Sequence, residues 1–356
     1  MRFSSGLSAF FSAFLVLGCV CAVLAPSGRA WAQYPGHISS YVLDAQTGDV
    51  LSQSDADLQR YPASLTKLMT LYLTFRASQA HQITFDEQVP VSIHCSIQKP
   101  SKLGLVPGTR LTVEQGVLAL VTKSANDAAC ALGEFLGGGD EVRFAQLMTQ
   151  QARALGMNNT TFRNASGLPD PDQVTTAHDL GILARRLIND FPGYYHYFDV
   201  PQFYFHRRLI PNHDPMLKIY SGADGLKTGY TDLAGHNLVT SAMRGNTRLI
   251  GVVMGAPSNT SRSLAMAALL DRGFADKGLA PEPLMHPAAS RPVLVFAGRR
   301  GRVRGRQLAA THRPVEVAEV SARKHGARGV RHTGSVRMVS LHAQGAAHHA
   351  KRHVRG

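Results

Sequence analysis

Apolar and polar positions alternate through the run YVLDAQTGDVLSQSDAD, from Tyr41 to Asp57, with Gln46-Thr47-Gly48 near its middle. Alternation on both sides of a turn predicts an early β-hairpin. The period then lengthens. Leu65, Leu68, Met69 and Tyr72 recur at helical intervals and Pro62 stands at the entrance, so residues 63–77 read as a helix with Ser64 and Lys67 at its start. Thr112, followed by Val113, Glu114 and Gln115, is a reciprocal capping signature ahead of the apolar GVLALVT. The next helix opens in Asn126-Asp127-Ala128-Ala129 and runs to Phe135, where three glycines stop it. Residues 141–155 give another, and Thr176 with Asp179 caps a fifth over LGILARRLI.

Further along, residues 217–219 and Asp224 to Thr228 flank a glycine-rich edge. Asn237 to Ala242 and Arg248 to Met254 read as adjacent strands, joined by a turn at Arg244-Gly245-Asn246. A helix over residues 261–274 closes this part. Strands at both ends with helices between them imply that the first hairpin pairs with the last strands. The expected class is α+β: an antiparallel sheet flanked by helices, with a helical subdomain.

Charge divides the chain. Its formal net charge is +14, and residues 281–356 hold fifteen Lys and Arg against three Glu, which is +12 of that total. Eight of the sixteen histidines lie there too, without a fixed ligand spacing. Apolar runs in this stretch are brief, so residues 278–356 read as a basic, loosely ordered extension. Such a balance raises the question of nucleic acid, and the other end of the chain answers it. After the early Arg2 comes an uncharged apolar run, then the small-x-small triplet Ala30-Trp31-Ala32. Residues 1–32 therefore read as a signal peptide and residues 33–277 as the working body of an exported protein. An anionic envelope surface, not nucleic acid, is then the partner that the extension predicts. A rival reading takes Val16-Leu17-Gly18-Cys19 as a lipid-attachment box. With the leader removed, Cys95 and Cys130 remain, from which no disulfide framework is inferred, and Cys130 reads as a buried thiol.

Three short patterns carry chemistry. In Ser64-Leu65-Thr66-Lys67 the spacing of three puts Lys67 one turn beyond Ser64 on the same helical face. A hydroxyl is a weak nucleophile until a base takes its proton, and a lysine serves as that base only when burial or other cations lower its pKa. The helix start also offers unpaired NH groups for an oxyanion. In Ser124-Ala125-Asn126 the structural reading is a helix cap; the functional one makes Ser124 a proton carrier and Asn126 an amide that fixes Lys67 and the substrate. In Lys227-Thr228-Gly229, strand alternation sets Lys227 and Gly229 on one face and Thr228 on the other, and Gly229 clears room for a peptide added to the sheet edge. SxxK alone is common by chance. All three in order within one exported chain are not.

These residues resemble the D-alanyl-D-alanine carboxypeptidases, low-molecular-weight penicillin-binding proteins of the bacterial envelope. PASLTK, SAN and GLKTGYT match the family motifs, and FRNASGLPDPDQVTTAHDLGILAR and NTRLIGVVMGAPS are similar to family stretches outside them. The resemblance spans residues 38–274. It implies a β-lactamase/transpeptidase-like fold, catalysis by Ser64, Lys67, Ser124, Asn126 and Lys227, and substrate contacts from Thr228, Gly229, Tyr230 and Arg262. Tyr230 would act through its backbone NH, completing an oxyanion hole with Ser64. Arg262 would hold the terminal carboxylate, a task suited to a guanidinium. Some relatives carry a second arginine shortly before KTG; here the stretch is Pro211-Asn212-His213-Asp214. The implied substrates are peptidoglycan stem peptides ending in D-Ala-D-Ala, with β-lactams as covalent ligands and neither metal nor organic cofactor. A β-lactamase, a transpeptidase or endopeptidase, and an inactive peptidoglycan-binding protein are the rivals. No Glu-x-x-Leu-Asn placement supports the first, and the intact motifs weigh against the last.

Overall fold

The computed structural model describes residues 37–285. The leader, Cys19, Cys21 and the basic chain after 285 lie outside the described residues. The chain opens with β1 (Ser39–Asp44) and β2 (Val50–Ser54), the expected hairpin. A 3-10 turn at Ala63–Thr66 feeds α1 (Lys67–Gln79). Then come β3 (Gln88–Pro90), α2 (Ile93–Ser96), β4 (Arg110–Thr112), α3 (Val113–Thr122), α4 (Asn126–Leu136), α5 (Glu141–Leu155) and α6 (Ala177–Asp190). A small hairpin of β5 (Gln202–Phe205) and β6 (Arg208–Pro211) precedes the short α7 (Met216–Ile219). Three long strands follow, β7 (Ala223–Thr231), β8 (Gly235–Arg244) and β9 (Thr247–Ala256), and α8 (Asn259–Asp276) ends the set.

The first hairpin does pair with the last strands. The sheet order is β2-β1-β9-β8-β7, antiparallel throughout, with Tyr41 opposite Val252. This is the α+β fold expected of a β-lactamase/transpeptidase-like enzyme. β9 is buried on both faces and its residues alternate between two cores: Ile250, Val252 and Met254 point into one, Leu249 and Val253 into the other. Helix α6 covers the first face and α8 the second. Each comes close over a glycine: a Cβ on Gly181 would lie 2.6 Å from the Tyr41 ring, and one on Gly251 would lie 2.4 Å from Met266 Sδ. The helical part is centred on Phe75, whose ring lies 5.2 Å from Tyr194, 5.9 Å from Phe191 and 6.2 Å from Phe198. Burying rings of this size contributes about 2–3 kcal/mol each.

Local chemistry accounts for most element ends. At α3 the capping box is complete, Thr112 Oγ1 accepting from Gln115 N and Gln115 Oε1 from Thr112 N. At α6 only half of the expected box forms. Thr176 Oγ1 accepts from Asp179 N at 3.0 Å, but the Asp179 carboxylate turns to Asn159 N and to the Thr160 hydroxyl. Residues 217–219 belong to a helical turn rather than an edge segment, because Pro215 fixes a helical entry. The cysteine reading is corrected outright: Cys95 and Cys130 form a disulfide joining α2 to α4 across 35 residues. No spacing rule announces such a pairing, since the helix packing alone brings the sulfurs together. The chain also stays attached to the body past 277. Arg244 Nη1 donates to Ala280 O at 3.3 Å, and Met285 N to Ile219 O at 2.7 Å.

Candidate active site

Lys67 begins α1 directly after the 3-10 turn that carries Ser64, and its side chain is fully buried. Its Nζ lies 3.1 Å from Ser64 Oγ, 2.6 Å from Asn126 Oδ1 and 2.5 Å from the Ser166 carbonyl oxygen. Two of these partners accept only. The Asn126 orientation is fixed by its Nδ2, which donates to Lys99 O at 2.9 Å. A neutral amine has two N–H groups and one lone pair, so its protons go to Asn126 and Ser166 and its lone pair faces the one partner able to donate, the Ser64 hydroxyl. Burial pushes the Lys67 pKa well below the ordinary lysine value, and the cation of Lys227 pushes it further down against the opposing pull of Asp127 and Glu141. Geometry and electrostatics agree on a base.

Backbone packing places Ser64. Ala63 takes a left-handed conformation at φ 49°. Gly167 sits so close beneath it that a Cβ there would come within 1.8 Å of Ala63 O. On the other side β7 approaches: a Cβ on Gly229 would lie 3.1 Å from Pro62 O and 3.2 Å from Ser64 N. Asn237 of β8 secures this junction. Its Nδ2 donates to Tyr61 O and Pro62 O, while its Oδ1 accepts from Gly255 N at 2.8 Å. Neither Asn237 nor Ser166 was singled out from sequence. The available signal was the place of Ser166 inside the matching stretch FRNASGLPDPDQVTTAHDLGILAR and of Asn237 at the start of a strand, which does not reveal that they act on Lys67 and the Ser64 turn from a distance in sequence.

Ser64, Ser124, Asn126, Thr228, Gly229, Tyr230 and Arg262 all line one open cleft of about 310 Å³. Ser124 is at φ 58° and its Oγ has no hydrogen-bond partner within the protein. The cap of α4 is Ala125, without a side-chain bond, so Ser124 and Asn126 are not spent on capping. Lys227 is the exception among the expected residues. It does not line the cleft, but lies buried behind it with Nζ donating to Thr228 O at 2.9 Å. Burial brings its pKa down to about 7, Arg262 adding to the fall and Asp214 opposing it. Arg262, in the first turn of α8, is 3% exposed and leaves its Nε without a partner. Tyr230 turns its ring away, stacked 4.3 Å from His236 with its hydroxyl on Asp232, which leaves only its backbone for chemistry in the cleft. Where some relatives have the second arginine, His213 lines the same cleft, and burial with Lys123, Lys227 and Lys218 lowers its pKa.

The wall opposite β7 is tied to the helix that presents Asn126. The Asp127 carboxylate accepts from Leu103, Gly104 and Leu105 NH at 2.8–3.0 Å, holding the loop whose Pro100 and Ser101 face Ser64 across the cleft. Among the described residues, His94, Cys130 and Glu134 are the cluster with donors close enough for a metal, yet the Cys130 sulfur is committed to the disulfide and the group lies away from the cleft.

A buried lysine against a serine, an open strand edge and a buried arginine lining the same cleft, on this α+β frame, are the features of a serine acyl-transfer hydrolase. The family model for D-alanyl-D-alanine carboxypeptidase matches residues 35–258, and the chain belongs to that family. It is 32% identical to the D-alanyl-D-alanine carboxypeptidase DacF of Bacillus subtilis, over 73% of this chain and 69% of that one. It is 36% identical to DacC of Escherichia coli, over 71% of this chain and 63% of the relative. Among solved structures it is similar to penicillin-binding protein 5 of Haemophilus influenzae, with a TM-score of 0.64 at 33% identity, covering 68% of this chain and 73% of the other. It is also similar to penicillin-binding protein D2 of Listeria monocytogenes in its ampicillin-bound form, with a TM-score of 0.58 at 32% identity over 66% and 96% of the two chains.

Proposed function

We propose that this protein removes the terminal D-alanine from peptidoglycan stem pentapeptides through an acyl-enzyme on Ser64. The observation that carries this reading is the Lys67 amine, whose two N–H groups have fixed acceptors while its remaining lone pair meets the Ser64 hydroxyl. Ser64 Oγ attacks the carbonyl of the penultimate D-alanine as Lys67 takes its proton. The carbonyl oxygen becomes an oxyanion between the NH groups of Ser64 and Tyr230, which the close approach of Gly229 brings to the same spot. Arg262 and Thr228 hold the free carboxylate. The C–N bond then breaks, the leaving amine takes a proton relayed from Lys67 through Ser124, and D-alanine departs. Lys227 sets the field behind both groups. Water repeats the sequence on the ester and frees the shortened peptide.

The cleft lining contains no carboxylate among the described residues, so no separate group stands ready to speed water onto a penicilloyl ester. This supports β-lactams acting as slowly released covalent ligands rather than substrates. The disulfide fits an oxidising, exported setting, where stem peptides are found, and the basic extension after residue 285 would tether the enzyme to an anionic envelope surface. The direct test is D-alanine release from a soluble pentapeptide, run beside fluorescent penicillin labelling of wild type and Ser64→Ala. Release and labelling that both vanish in the variant are expected; labelling retained at another residue would sink the assignment.

A further inference from the structure

Glu141 opens α5 and does not line the cleft, yet its carboxylate is turned inward. The side chain is 12% exposed and each oxygen has a partner: Oε1 accepts from Ala165 N at 3.0 Å, and Oε2 stands 2.9 Å from His94 Nε2 on α2. An acidic residue in a first helical turn ordinarily directs its charge at that helix's own NH groups. Here Asp140 does so, accepting from Val142 N and Arg143 N, which leaves the Glu141 carboxylate to another part of the chain.

That part is the segment from Asn164 to Gly167, which touches the reacting groups at two points. Ser166 O accepts from Lys67 Nζ at 2.5 Å, and Gly167 lies directly against Ala63 O. Ala165, just before them, is held on both sides: its NH donates to Glu141, and its carbonyl accepts from Thr70 Oγ1 of α1 at 2.7 Å. One carboxylate thus fixes, from behind, the backbone whose next carbonyl fixes the base. Its charge reaches the same group. The charged side chains acting on Lys67 are Lys227 of β7, Asp127 of α4 and Glu141 of α5, the two acids opposing burial and Lys227. Asp127 is already committed to three NH groups of the wall opposite β7. Glu141 itself faces His94 of α2, and Glu134 of α4 lies within 4.8 Å of a ring nitrogen of that histidine.

We propose that Glu141 is a positioning residue for the reaction: through Ala165 N it sets where the Ser166 carbonyl meets the Lys67 amine, and it supplies a negative charge behind that base. The proposal rests on the acylation reading above, in which Lys67 takes the Ser64 proton. A base depressed too far loses its driving force for that transfer. An anion behind a lysine already opposed by burial and by Lys227 is therefore a counterweight.

The test separates the two contributions. Glu141→Gln keeps an acceptor for Ala165 N and removes the charge, whereas Glu141→Ala removes both. D-alanine release from a soluble pentapeptide is followed across pH, with rates expressed per site titrated by fluorescent penicillin, so that a loss of folded protein does not register as a loss of rate. Glu141→Ala should lower kcat about 10²-fold, the effect of a small misplacement of a reacting group, with KM within about twofold. Glu141→Gln should recover most of that loss on the alkaline plateau. Its acid limb should move to lower pH, because the ammonium form of Lys67 has lost a nearby anion. Wild-type kcat in Glu141→Ala, or an acid limb in Glu141→Gln that does not move or moves upward, would overturn the proposal, while turnover by wild type keeps the carboxypeptidase reading intact. Should Glu141→Ala fail to fold, the acid limb of Glu141→Gln decides alone. No D-alanine released by wild type would overturn both.

Discussion

Around Phe75 the molecule buries ring against ring, and around Ser64 it buries two lysines, an arginine and an aspartate within one chain fold. The first region gains stability from every contact. The second gives stability up: desolvation lowers the pKa of Lys67 and Lys227 and raises that of Asp214, so each of these groups sits in a site that disfavours its charge. Ala63 and Ser124 add left-handed backbone at the same place. The contrast separates what keeps the protein folded from what lets it react, and the two can be broken independently.

The sharpest break is at the base. Lys67→Ala should lower acylation by a fluorescent penicillin on the order of 10⁴-fold while the thermal unfolding midpoint stays near that of wild type or above it. A large loss of stability with proportionate loss of labelling would show that Lys67 is structural. The complementary break is Phe75→Ala, which should cost about 3–5 kcal/mol of stability and leave kcat per folded molecule within a factor of two, read by denaturant unfolding beside D-alanine release. Between the regions stands the disulfide. Replacing Cys95 and Cys130 by serine together frees a loop with a sequence separation of 35. In the chain-entropy treatment this lowers stability by about 3–4 kcal/mol, and because α4 also carries Asn126, kcat should fall more than in Phe75→Ala.

A finer probe is pH. Lys67 must be neutral to accept the proton, so kcat/KM should climb about tenfold per unit along its acid limb and level off once the amine is free. Lys227→Met removes a cation that lowers the Lys67 pKa. Its acid limb should therefore move to higher pH; a shift downward would contradict the coupling. The smallest effect belongs to the extension: deleting residues 286–356 should leave cleavage of a soluble pentapeptide unchanged and reduce only salt-sensitive retention on isolated envelopes.

Sequence reading reached furthest where the chemistry is local. Ser64 and Lys67 share one turn, Ser124 and Asn126 one helix start, and Thr228 and Gly229 one strand, so spacing alone places them, and the alternation of β8 and β9 was plain enough to predict the hairpin pairing with β1. It stopped where partners are distant in sequence. Lys99 and Ser166 serve Asn126 and Lys67 through their carbonyl groups, which no side-chain pattern reveals. Asn237 fastens Tyr61 and Pro62 across 176 and 175 positions. Strand alternation gave Lys227 a face but not a depth, so its burial behind the cleft came from the fold. His213 and Asp214 stood out only as a departure from an expected arginine, and the burial of Asp214 beside the Lys227 charge came from the fold.

The three NH groups held by Asp127 have a consequence for how such a cleft can change. Because Leu103, Gly104 and Leu105 hang from the same helix start that delivers Asn126, that wall cannot shift without dragging the catalytic amide along. On the other side Leu168 is tied to the site, its NH donating to Ser166 Oγ and its carbonyl accepting from Asn164 and Gln173, whereas among Pro169 to Pro171 the bonds run only from Asp170 to Asp172 and Gln173, residues of its own turn. Variation that retunes substrate choice therefore has one inexpensive direction open to it. Substitutions accumulated among related chains, or introduced by a designer, should be tolerated at residues 169–171 and rejected at 103–105.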